Sequence, residues 1–231
     1  MTTFSGLSNA VRALRRAGCR RSGLTPAVTV VLTQQKPSSN GASNTSHTIT
    51  LDAPVAAGDV LVLSVLEYPG AASITSVTGC GATWTRAARC APVSSFTTSI
   101  WVGVGATAGG TQVTTTSSSG QTNDVNLAVF RGLGAGAAII SANTASGNIA
   151  LPVSSGRVTV TTGKLVVGAI VANTSPAVTW ADLPAGSAWT ALSGTTQLFV
   201  AYRLPSAAVQ HGHEGTGNVT SISTGVIVEI G

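Results

Sequence analysis

Gly58-Asp59-Val60-Leu61-Val62-Leu63 returns as Gly163-Lys164-Leu165-Val166-Val167-Gly168, and Ala82-Thr83-Trp84-Thr85 returns as Ser187-Ala188-Trp189-Thr190. From Gly58 to Trp84 is 26 positions (84 − 58), and from Gly163 to Trp189 is again 26 (189 − 163). Valine- and threonine-rich strands resemble one another by composition, so the equal spacing carries the case for an internal repeat. Downstream, Ile100-Trp101-Val102 matches Leu198-Phe199-Val200, and Asn126 to Gly132 matches the closing Val226 to Gly231, with shorter loops in the second copy. The joint Gly132-Leu133-Gly134-Ala135-Gly136 is a short link with little room to separate two bodies.

Around these segments the pattern is β throughout. Ala27-Val28-Thr29-Val30-Val31-Leu32 is rich in β-branched residues, and Thr48-Ile49-Thr50-Leu51 alternates. Strands are expected at 59–67, 73–78, 83–88, 97–104, 112–116 and 125–131, separated by turn residues. That rhythm predicts an all-β fold: an antiparallel β-sandwich, jelly-roll or Ig-like, built from two internal repeats. The expected division is 1–26 as a basic arm, 27–135 as the first repeat and 136–231 as the second, packed closely on the first.

The net charge of +5 is carried by the arm. Arg12, Arg15, Arg16, Arg20 and Arg21 lie in the first 21 residues with no acid among them, which leaves seven bases (12 − 5) against seven acids in the remainder. Within the arm, Phe4, Leu7, Val11 and Leu14 follow a 3-4-3 spacing. This predicts a short amphipathic helix to about Ala17, with Ser5 or Ser8 as N-cap and Gly18 as its stop. A helix this short is marginal alone, so its stripe needs a groove in its own body, a partner protein or copies of itself. Arginines beside an apolar stripe suit a partner's carboxylates, because the guanidinium pairs bidentately. The arm carries no interleaved aromatics for nucleic acid, its stripe is small for a membrane surface, and no run approaches a membrane span.

Arg16-Ala17-Gly18-Cys19 ends like a lipobox and the paired arginines resemble a twin-arginine leader, but the long apolar core of either leader is missing. A basic, acid-poor N-terminus also suits a transit peptide; the reading adopted is a retained, docked arm. The whole chain is 43% hydrophobic and only 8% charged, against roughly 25% in an average domain, so the surface of the body is largely hydroxyl and amide. Cys19, Cys80 and Cys90 are three, and neither their number nor their spacing fixes a disulfide or a zinc site.

Chemistry has few places to reside. His211-Gly212-His213-Glu214 is the only cluster of metal-ligand types, and the repeat places it in a loop equivalent to Ala106–Gly110, with no third or fourth ligand in view; no metal and no cofactor are assigned. No GxSxG, GxGxxG or P-loop occurs, and the seven carboxylates are scattered singly, so no catalytic residues are assigned. Among Trp84, Trp101, Trp180, Trp189, Tyr68 and Tyr202, the equivalent Trp84 and Trp189 read as core plugs. Trp180 has no counterpart and is the candidate for a glycan contact.

Gly58 to Val65, Thr75-Ser76-Val77-Thr78 leading to Ala82-Thr83-Trp84-Thr85-Arg86, Ser99-Ile100-Trp101 and Leu127-Ala128-Val129-Phe130 together resemble a β-sandwich module of tailed-bacteriophage structural proteins. The resemblance implies a virion component: a capsid decoration, head-fibre or minor tail protein. The expectation is a non-enzymatic protein on the virion surface. Phe4, Leu7, Val11, Arg12, Leu14, Arg15, Arg16, Arg20 and Arg21 would bind the major capsid protein or another virion protein, with association as a dimer or trimer. The alternatives are a minor tail or surface adhesin whose β body binds carbohydrate and, more distantly, a glycan hydrolase using scattered acids.

Overall fold

The computed structural model describes residues 29–231 except 42–43, 70–72, 94, 135, 151–152, 173–178, 184–188, 194, 196, 207–209 and 217–219. The arm, its expected helix and every partner-binding residue assigned to it lie outside the described residues. Within them the chain is all β, with no helix. The first half runs β1 (Val31–Ser39), β2 (Asn44–Thr50), β3 (Val60–Tyr68), β4 (Ile74–Gly79), β5 (Thr83–Arg89), β6 (Thr97–Val104) and β7 (Gln112–Arg131). The second half runs β8 (Ile139–Ala150), β9 (Val153–Thr159), β10 (Leu165–Ala172), β11 (Thr179–Leu183), β12 (Thr190–Leu192), β13 (Leu198–Arg203), β14 (Gln210–Thr216) and β15 (Thr220–Ile230).

The strands pair antiparallel into four layers. In the first half β2 and β4 flank the opening part of β7, while the rest of β7 joins the order β1-β7-β3-β6-β5. In the second half the orders are β12-β13-β10-β15-β8 and β11-β14-β9. Alternation along β3 sends Leu61, Leu63 and Val65 towards Ile49, Ile74 and Val77 of the first outer sheet. It sends Val60, Val62 and Leu66 the other way, onto Leu165, Val167, Ala169 and Val171 of β10. On the far face of β10, Val166 packs with Ile227 against Val158 and Val160.

The two large sheets are therefore inner layers, each covered on both faces. This is why β3 and β10 read as near-continuous apolar runs rather than as clean alternation, and why Val60–Glu67 and Leu165–Ala172 are buried without a break. One polar pair admitted here crosses the central plane: Thr98 Oγ1 and Thr224 Oγ1 lie 2.5 Å apart, and Thr98 also donates to the Thr224 carbonyl.

Several expectations shift. The segments 112–116 and 125–131 are one 20-residue strand, because β7 passes from the outer to the inner sheet and keeps a ladder in each. β1 extends through Gln34-Gln35-Lys36-Pro37, residues tolerated because an edge strand needs a ladder on one side only. Register places Trp101 opposite Leu63 and Ala201 opposite Gly168, so Val200-Ala201-Tyr202, not Leu198-Phe199-Val200, stands where Ile100-Trp101-Val102 stands in the first half. The His211–Glu214 segment lies on the strand β14, paired on both sides, rather than in a loop.

Candidate functional site

Asp59, Glu67, Asp124 and Glu229 are buried in the body. Asp59 enters β3, where it is 1% exposed, and takes a bidentate pair from Arg131 at the end of β7 (2.8 and 2.9 Å) plus the Ala56 amide at 2.8 Å. Burial pushes its carboxyl up, but the Arg131 hydrogen bonds, the Ala56 amide and the Arg131 charge together hold the pKa below its ordinary value. At the other end of β3, buried Glu67 pairs with Arg89 at 3.1 Å and accepts from Ser99 Oγ at 2.6 Å. Lys36 meets Asp52 at 2.5 Å, and Glu229 accepts from Ser141 Oγ and the Thr161 amide.

At the Glu67 end, where the two inner sheets open, lies a pocket of about 490 Å³. One wall is aromatic: the Tyr68 and Phe96 rings stand 5.1 Å apart at 33°. Phe96 is positioned by reciprocal 2.9 Å backbone bonds with Val93 across a tight turn that holds Ser95 at φ +77°. Beside it on the same face of the sheet stand Thr122 and Asp124, the cross-strand partners of Tyr68 and Leu66, and Gln197 joins them from the second half.

This polar side of the pocket is braced across the halves. Thr195 Oγ1 donates to Asp124 Oδ2 at 2.6 Å and accepts from the Leu198 amide at 3.2 Å. Gln35 exchanges two hydrogen bonds with Ser193, Asn126 Nδ2 donates to the Ser193 carbonyl, and the Gln197 carbonyl accepts from the Ala172 amide. Ser193 and Thr195 are thereby docked on β1 and β7, and Gln197 on β10.

A second polar group surrounds His47, whose Nε2 shares a 3.0 Å hydrogen bond with Ser38 Oγ. Burial lowers the His47 pKa below 6.5, with the Asp124 charge opposing. A serine and an imidazole at this distance form two-thirds of a nucleophilic triad, yet His47 Nδ1 meets no acceptor among the described residues and nothing orients the ring as a base.

The other sequence candidates separate. Trp180 lies on the edge strand β11 with Gly215 as register partner. Trp84 packs into the first core and donates to the Gly79 carbonyl at 3.2 Å, and Trp189 packs into the third, as core plugs do. Cys80 and Cys90 are thiols in different cores. No group of three or more potential metal ligands is found among the described residues. Sequence reasoning included Tyr68 among the aromatics but missed Phe96 and Asp124. The available signal was Tyr68 closing an apolar strand immediately before Pro69-Gly70, where a ring has no core to enter. The chain matches no protein-family model, no curated protein and no solved structure.

Proposed function

We propose that the protein is a non-enzymatic structural component of a virion, a capsid decoration or head-fibre protein. The cationic arm attaches it to the major capsid protein or another virion protein, and the β body is displayed at the particle surface as part of a dimer or trimer. One observation carries this reading: Asp52, Asp59, Glu67, Asp124 and Glu229 already have partners inside the body, so it leaves few carboxylates for the five arginines of residues 1–21. An unmatched arginine cluster seeks its anion elsewhere, and an acidic groove on a protein lattice supplies it bidentately.

We infer also that the two halves are copies of one unit. In support, β1-β7-β3-β6-β5 is matched strand for strand by β8-β15-β10-β13-β12, and the outer sheets by β2-β7-β4 and β9-β14-β11. A bulge leaves Thr33 extra opposite Phe130 and Val129, and another leaves Ile140 extra opposite Ile230 and Glu229, the same place in each half. Bulges are specific features and seldom coincide by chance.

Deleting residues 1–22 tests the attachment. The expected product is a folded body that no longer binds particles lacking this protein; unchanged occupancy would refute the reading. The adhesin reading is favoured by the Tyr68–Phe96 pocket. A hydrolase requires two carboxylates in one cleft, whereas this pocket is lined by Asp124 alone among the acids.

A further inference from the structure

We propose that the pocket between the inner sheets binds a neutral saccharide, with Tyr68 and Phe96 as the stacking wall and Asp124 and Gln197 as the hydroxyl-reading wall. Its volume of about 490 Å³ lies within the roughly 300–1,000 Å³ usual for small-molecule sites. Tyr68 is 45% exposed, one of few large apolar side chains left in solvent, and its ring continues into that of Phe96 rather than into a core. Such a wall suits the C–H face of a pyranose, which is apolar, while the hydroxyls around the ring edge need paired acceptors and donors.

The neighbouring strand β7 and Gln197 supply them in fixed positions. Asp124 is 9% exposed, with one oxygen held by Thr195, so the carboxylate is oriented before a ligand binds. Gln197 contributes a side-chain amide able to donate and accept, and Thr122 and Ser95 contribute hydroxyls. Ser95 is held in the left-handed region at φ +77°, a conformation unusual for serine and one that recurs at ligand-binding turns. Among the described lining residues the one charged side chain is an acid, which disfavours anionic ligands; the multiplicity of neutral hydrogen-bonding groups favours a polyhydroxyl ligand over a simple amine.

The site draws residues from both halves, so it exists only when they are packed together. It lies apart from β11, and its occupancy does not depend on the arm. Saccharide binding and particle attachment are therefore read on separate variants, and either can fail alone.

Saturation-transfer difference NMR on the full-length protein tests this, with a panel of hexoses, N-acetylhexosamines and their disaccharides, and choline as the cationic control. The expected result is transfer to ring C–H protons of at least one sugar. That signal should fall about tenfold in Tyr68→Ala, a surface change that spares the core, and in Asp124→Asn, and persist in Trp180→Ala. No transfer to any sugar from folded protein, transfer undiminished in Tyr68→Ala, or transfer to choline alone would overturn the proposal.

Discussion

Thr98 Oγ1 and Thr224 Oγ1 face each other at 2.5 Å across the plane where the two halves meet, and neither side chain is exposed. A buried hydroxyl pair in an otherwise aliphatic contact ties the halves in one register. Thr98→Val or Thr224→Val alone strands the partner hydroxyl and is expected to cost about 1–3 kcal/mol in urea unfolding. The double valine variant, which removes both polar groups, should cost less than the sum of the singles. Strict additivity would mean that the pair is not coupled.

Trp84 occupies the space that a side chain opposite it would need. A Cβ at Gly103 would sit 2.8 Å from Trp84 Cε2, so Gly103→Val must displace the indole from the first core. The expected loss is about 1–3 kcal/mol, with a red-shifted tryptophan emission. Wild-type stability and an unchanged spectrum would show that the ring does not rest there.

Asp59 sets an acid limit. Its folded pKa lies below the ordinary 3.8, so the stabilisation is complete above the unfolded value and is lost as pH falls through the folded one. Chemical denaturation between pH 5 and about 2 should show this loss, and Asp59→Asn should flatten that part of the profile while costing roughly 1–3 kcal/mol at pH 7. An identical pH profile in Asp59→Asn would exclude the Arg131 pair as its source.

His47 works at higher pH and through burial. Its folded pKa is lowered, so the unfolded chain takes up the proton first and stability declines as pH falls through about 6.5. His47→Gln should remove the portion of the slope that sets in below about pH 6.5. If that slope persists in the variant, a group other than His47 is its source.

The β pattern was legible because turns fall between apolar runs and because only strands bury hydroxyl-rich alternation. The inner sheets were legible in part: Val60-Leu61-Val62-Leu63 announces burial on both faces, yet only the packed fold shows that its second face covers the other half. β7 reads in the sequence as two strands; in the fold Ser117 pairs with Ile74 and the Ser118 amide donates to the Ser73 carbonyl, so the strand continues into the serines. The pocket was the least legible. Tyr68, Phe96 and Asp124 meet through the pairing of distant strands in the first half and Gln197 joins them from the second, and no local spacing encodes that. Trp84 and Trp189 were legible as core residues because an indole buries a large apolar area, and each packs against a core cluster of its own half.

The account turns on the arm. Co-sedimentation with particles lacking this protein, across a salt series, compares the full-length chain with a variant carrying Arg12→Gln, Arg15→Gln, Arg16→Gln, Arg20→Gln and Arg21→Gln. The prediction is binding of the full-length chain that weakens as salt shortens the Debye length below about 10 Å, and loss of binding in the variant at every salt concentration. Equal binding by both proteins, unaffected by salt, would contradict it.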